Sequence, residues 1–177
     1  MNKYHIYTLL AMCGMISSGC KNKTEEPKPI VAPTGMNVLD LSRFGKPFVI
    51  FVPDTNTNKL EIIEQQSGEL EIKAGKGFHI AIIEQMEDLN TKKEELKGDE
   101  VNKLKNFIAD STNVLIWESE ITKPEFHFII NRKIKDSDYS FRDVISTDAE
   151  PFTREQIEKM VESVLNAQEV IKPKPQS

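Results

Sequence analysis

Any chemistry in this chain has to come from a short roster of side chains. Beyond the N-terminal segment there are two histidines, His79 and His127. Each sits beside phenylalanine: Phe78 precedes the first, and Phe126 and Phe128 flank the second. In extended segments this alternation turns each imidazole to the face opposite the rings. If the two strands were neighbours, the imidazoles would meet across the sheet. With Glu125 or Glu118 they would then offer two nitrogens and a carboxylate to zinc. Spacing argues the other way. The chain has no His-x-His and no His-x-x-x-His pair, so the plainer expectation is two imidazoles decorating a solvated face, with no metal and no other cofactor.

The remaining candidates are weaker. Carboxylates are plentiful, among them Glu61, Glu64, Glu69, Glu71, Glu84, Glu87 and Asp88. A glycosidase needs two acids whose pKa values are pushed apart in a cleft, and no motif singles out any two of these. They alternate with lysine, as solvated strand and helix faces do. The folded body carries no Gly-x-Ser-x-Gly elbow. Gly75-Lys76-Gly77 is too short for a phosphate loop and opens a strand rather than a helix. The expectation is that the protein is not an enzyme.

Cysteine is confined to the start of the chain, at Cys13 and Cys20. Lys3 is followed by an apolar run from Ile6 to Ile16, too short to span a bilayer that needs ~20 residues. Its length and flanks predict a secretory signal. The run then closes on Ser17-Ser18-Gly19-Cys20. That ending resembles the lipobox of bacterial lipoproteins. The resemblance covers residues 1–20 and implies removal of residues 1–19, leaving Cys20 as the lipidated first residue. A diacylglycerol thioether plus an N-acyl chain such as palmitate would anchor it stably, because two or more acyl tails hold where one does not. The alternative is an ordinary signal peptide cut near Gly19, with Cys20 a free thiol. In either case the folded body has no thiol, hence no disulfide and no cysteine-based chemistry.

Residues 20–35 read as a tether. Pro27, Pro29 and Pro33 lie among charges of both signs, a composition that favours extended backbone and cannot pack a core. Lys21 followed by Glu25-Glu26 resembles the surface-export signal of Bacteroidota lipoproteins. That leaves two placements on the cell outer membrane, facing the periplasm or the cell surface. Residues 36–170 are one domain's worth of chain, and residues 171–177 read as a disordered tail. Net charge is −5 with a pI near 5.3, which disfavours nucleic acid as a partner.

The elements that must position the histidines follow from periodicity. Phe48 to Val52, Leu60 to Glu64, Leu70 to Lys73 and Phe78 to Glu84 read as strands of an antiparallel meander. Gly75-Lys76-Gly77 supplies a turn or bulge. Thr91 and Glu94 match a capping box, and Val101, Leu104, Phe107 and Ile108 fall at helical spacing. Strands return at Val114 to Glu118, Glu125 to Lys133 and Tyr139 to Val144. A second helix opens on a Thr153/Gln156 capping box, with Phe152 and Ile157 placed for a hydrophobic staple. Ile157, Met160, Val161, Val164 and Leu165 form its apolar stripe. The order strands–helix–strands–helix predicts an α+β fold, a mostly antiparallel sheet with both helices packed on one face.

Two short resemblances complete the reading. Leu39 to Pro47 (LDLSRFGKP) is similar to the start of small uncharacterised Bacteroidota proteins, which implies no activity. Asp110-Ser111-Thr112 resembles an O-glycosylation sequon of envelope proteins of that group, with Ser111 the acceptor at a helix end. The chain thus reads as a membrane-anchored envelope lipoprotein. Its body is expected to be a non-enzymatic module that binds a protein or envelope component. An immunity or inhibitor-type lipoprotein is the alternative. A metal-binding protein or hydrolase built on His79 and His127 ranks behind both.

Overall fold

A computed structural model describes residues 30–146 and 149–170. Its elements, in chain order, are β1 (Met36–Asp40), a 3-10 turn at Ser42–Phe44, β2 (Phe48–Pro53), β3 (Leu60–Glu64), β4 (Leu70–Ala74) and β5 (His79–Ile83). There follow α1 (Leu89–Gly98), β6 (Lys103–Asp110), β7 (Val114–Glu120), β8 (Pro124–Ile134), β9 (Ser137–Asp143), α2 (Arg154–Leu165) and β10 (Gln168–Glu169). The strands form two sheets. The larger has seven strands in the order β3-β4-β5-β9-β8-β7-β6, and the smaller has the order β1-β2-β10. Every pairing is antiparallel.

Side-chain alternation gives the large sheet two distinct faces. Leu70, Ile72, Phe78, Ile80, Ile82, Phe128, Ile130, Tyr139 and Phe141 share the first face and the main core. The small sheet and α2 cover that face: Phe48, Ile50 and Val52 of β2 join the cluster, as do Ile157, Met160 and Val164 of α2. The Phe48 ring meets the Tyr139 ring edge-on at 5.0 Å. The second face carries a smaller cluster of Leu115, Trp117 and Ile129, closed by Leu89 and Leu96 of α1.

This corrects the expected fold class. The described chain is predominantly β, with ten strands against two α-helices, and it is not an α+β layer with both helices on one face. Ile129 belongs to the cluster under α1, while its neighbours Phe128 and Ile130 belong to the cluster under α2. The two helices therefore lie on opposite faces of the same sheet.

The largest local difference is at residues 101–110, where a helical stripe was expected and β6 is found. Its ladder with β7 breaks register twice, between Leu104 and Asn106 and between Phe107 and Ala109. Each break inserts one extra residue. Leu104 and Phe107, three apart in sequence, therefore face the same cluster. A bulged strand has reproduced helical spacing. The helix before it begins earlier than the Thr91 box predicts. Asp88 is its cap, accepting the N–H groups of Asn90 and Thr91, and the Thr91 hydroxyl donates to the same carboxylate at 2.8 Å. The Thr153/Gln156 box of α2 is formed as expected, and its staple residues Phe152 and Ile157 are both buried. Leu165, expected on the buried stripe, is half exposed.

β1 and β10, which periodicity did not single out, flank β2 on either side. Met36 pairs with Pro53 at one end of β2, and Glu169 pairs with Phe48 at the other. The described fold is thus entered and left at opposite ends of one strand.

Candidate functional site

A cleft of about 520 Å3 opens where the β4–β5 turn meets the start of α2. Its sheet side is set by register. Lys73 and His79 are cross-strand partners, and the N–H of Val144 extends the ladder by donating to the His79 carbonyl at 3.1 Å. The turn between β4 and β5 can close because two glycines stand in it. Gly75 has φ +65°, and a Cβ there would lie 2.5 Å from Asn58 Oδ1. A Cβ at Gly77 would lie 2.8 Å from Gln156 Nε2, so the amide of the capping glutamine packs into the space a side chain would take. On the helix side Thr153 Oγ1 accepts the Gln156 N–H at 3.3 Å, and Gln156 Oε1 accepts the Thr153 N–H at 2.8 Å. Phe152, Pro151 and Val144 supply apolar lining.

The electrostatics of the cleft run against those of the whole chain. Lys73 and Lys76 line it, and neither makes an ion pair among the described residues. Glu61, opposite Lys73 on β3, is taken by Lys59 at 2.7 Å. Glu150, the acidic residue among the described lining, is held by Lys123 at 2.7 Å. The hydrogen bond from that ammonium, and then its charge, keep the Glu150 carboxyl below the ordinary range. His79 lines the cleft while only 6 % exposed. Its Nε2 is 2.9 Å from Glu71 Oε2. Its Nδ1 makes no hydrogen bond among the described residues.

His127 is held elsewhere. Strand β9 lies between β5 and β8, so the two imidazoles are not on neighbouring strands and engage different carboxylates. His127 Nδ1 is 2.9 Å from Asp143 Oδ2, and the other oxygen of that carboxylate accepts the Phe128 N–H at 2.8 Å. The imidazole stacks on Trp117 at 5.0 Å between centroids. Glu125 Oε2 lies 3.8 Å from Nε2, outside hydrogen-bond reach. Glu118 pairs with Phe126 across the ladder, so it projects from the face opposite His127, and it accepts from Asn106 at 3.0 Å. Both imidazoles are buried rather than set on a solvated face. Among the described residues no group of three or more His, Cys, Asp or Glu is placed to hold a metal ion.

Ser111 lies in the β6–β7 hairpin rather than at a helix end. The N–H of Val114 donates to its Oγ at 3.1 Å, and the residue is exposed. Cys20 and the segments 1–19 and 171–177 lie outside the described residues. Sequence reasoning named neither Glu71 nor Asp143 as histidine partners, and it passed over Lys73 and Lys76. Glu71 and Lys73 were within reach of the sequence. A hairpin closed through Gly75-Lys76-Gly77 sets Lys73 opposite His79 and puts Glu71 on the same face. No protein-family model, curated protein or solved structure matches this chain.

Proposed function

We propose that the chain is an envelope lipoprotein, held in the outer membrane through Cys20, whose folded body is a non-enzymatic module binding its ligand in the cleft beside α2. The observation that carries this reading is the cleft itself. Its volume lies within the ~300–1,000 Å3 typical of ligand sites, and it sets a few polar groups over apolar lining. The anchor rests on the Ser17-Ser18-Gly19-Cys20 ending and the proline-rich stretch that follows.

Two experiments test the two halves. Cys20→Ala should move the protein from the membrane to the soluble fraction and abolish incorporation of an alkyne-bearing palmitate. A variant that stays membrane-bound would refute the anchor. Ala149 is exposed and lines the cleft, so Ala149→Trp fills it without touching the core. Small molecules that raise the melting temperature of the parent should leave that variant unshifted. Equal protection of both proteins would refute the cleft as the site.

A further inference from the structure

We propose, building on the cleft as the binding site, that its ligand is an organic anion: a carboxylate- or phosphate-bearing molecule with an apolar body. Two of three features point to this class, and the other, His79, adds a polar contact for the ligand's body. Lys73 and Lys76 present ammonium groups that no carboxylate within 4.0 Å neutralises among the described residues, in a chain whose net charge is −5. Among the described residues the nearby acids hold other partners at hydrogen-bond distance, Glu61 with Lys59, Glu150 with Lys123 and Glu71 with His79, and Lys73 acts on Glu61 only at longer range. An anion in a recess bounded by apolar side chains is screened less than at an open surface, so the two lysines act on it more strongly there.

The second feature is His79. It is 94 % buried by its 6 % exposure, lines the recess, and keeps Nδ1 without a partner while Nε2 is fixed on Glu71. With Nε2 donating to a carboxylate, Nδ1 is left as an acceptor in a fixed direction, so it suits a hydroxyl or N–H on the ligand's body and not the anionic group itself. The third is the lining opposite. Phe152, Pro151 and Val144 give the recess an apolar wall, and α2 points its positive dipole end toward it. An inorganic ion would use the lysines and leave that wall and most of the 520 Å3 unused. An apolar neutral molecule would use the wall and leave two ammonium groups unpaired.

The test uses two dyes with one aromatic body. Anilinonaphthalene sulfonate carries the anion, and N-phenyl-1-naphthylamine lacks it. Fluorescence titration of the full chain carrying Cys20→Ala should give one sulfonate site. Lys73→Gln/Lys76→Gln should weaken that site about tenfold and leave the neutral dye unchanged, as loss of roughly one charge-assisted contact implies. Lys73→Arg/Lys76→Arg should restore it, which separates charge from misfolding. Octanoate should displace the sulfonate dye, and inorganic phosphate should not. Displacement by phosphate as effective as by octanoate would show a bare anion site and overturn the organic part. Equal binding of both dyes, indifferent to the lysines but lost in Ala149→Trp, would overturn the anion while leaving the cleft intact. Dye binding that survives Ala149→Trp would sink the cleft reading itself.

Discussion

Asp143 joins His127 to the end of a ladder. Its two oxygens divide the work: Oδ2 meets the imidazole Nδ1 at 2.9 Å and Oδ1 takes the Phe128 N–H at 2.8 Å. The β8–β9 backbone register runs only as far as Ile129 and Arg142. Beyond that pair a carboxylate replaces the next backbone acceptor. The Asp143 side chain is 5 % exposed, so neither bond has water as an easy substitute.

Removing that carboxylate should therefore be costly. Asp143→Ala leaves a buried N–H and a buried imidazole without partners and is expected to lower stability by about 3 kcal/mol. Asp143→Asn keeps an acceptor oxygen for Phe128 and should lose less than half as much. Urea unfolding followed by Trp117 fluorescence measures both, since the ring stacked on His127 reports directly on this corner. Equal losses in the two variants would contradict the division of labour.

The start of α2 offers a second test. Thr153→Ala deletes the acceptor of the Gln156 N–H and should cost about 1 kcal/mol of stability. Thr153 and Gln156 also line the cleft, so the same variant should weaken ligand protection there. Thr153→Ser retains the oxygen and should restore both. Hydrogen exchange at residues 154–157 separates local fraying of the helix from global unfolding.

Acid should find one particular ion pair. Lys46 Nζ, on a residue only 7 % exposed, donates to Glu84 Oε2 at 2.9 Å. The hydrogen bond from Lys46, then one from Ser137, holds the Glu84 carboxyl below its ordinary range. A carboxylate depressed in the folded state stabilises the fold above its unfolded pKa, and that contribution is lost as pH falls through the folded value. Lys46→Met should melt below the parent at neutral pH. The gap should narrow as pH falls below the ordinary carboxylate range, where the parent protonates Glu84 too. Melting curves across that range check it, and a constant gap would assign the loss to packing on Tyr139 instead.

These residues also show what the sequence makes legible. The Phe78-Ile80-Ile82 alternation and the Thr153/Gln156 box are local patterns, and the structure realises both. β6 was not legible because its two bulges shift side-chain parity, so Leu104 and Phe107 mimic a helix face. The helices' opposite placement was hidden too, since amphipathicity marks a buried side but not the face of the sheet it meets. The site divides in the same way. Lys73 opposite His79 follows from one short hairpin, whereas Asp143 beside His127 depends on where a long-range ladder stops.

The arrangement of β1 and β10 around β2 has a mechanical meaning. The chain enters the fold beside Pro53 and leaves it beside Phe48, about 17 Å apart along the strand. Antiparallel hydrogen bonds lie across the strand axis. Tension between the two ends of the fold therefore pulls the strands lengthwise past one another, and each ladder shares the load among its bonds at once instead of peeling them singly. The two-residue β10 carries the fewest bonds and is the first to slip, while β1 keeps its grip on the centre of the small sheet. A body fastened to a surface through its leading end would meet drag with its stiffer seam.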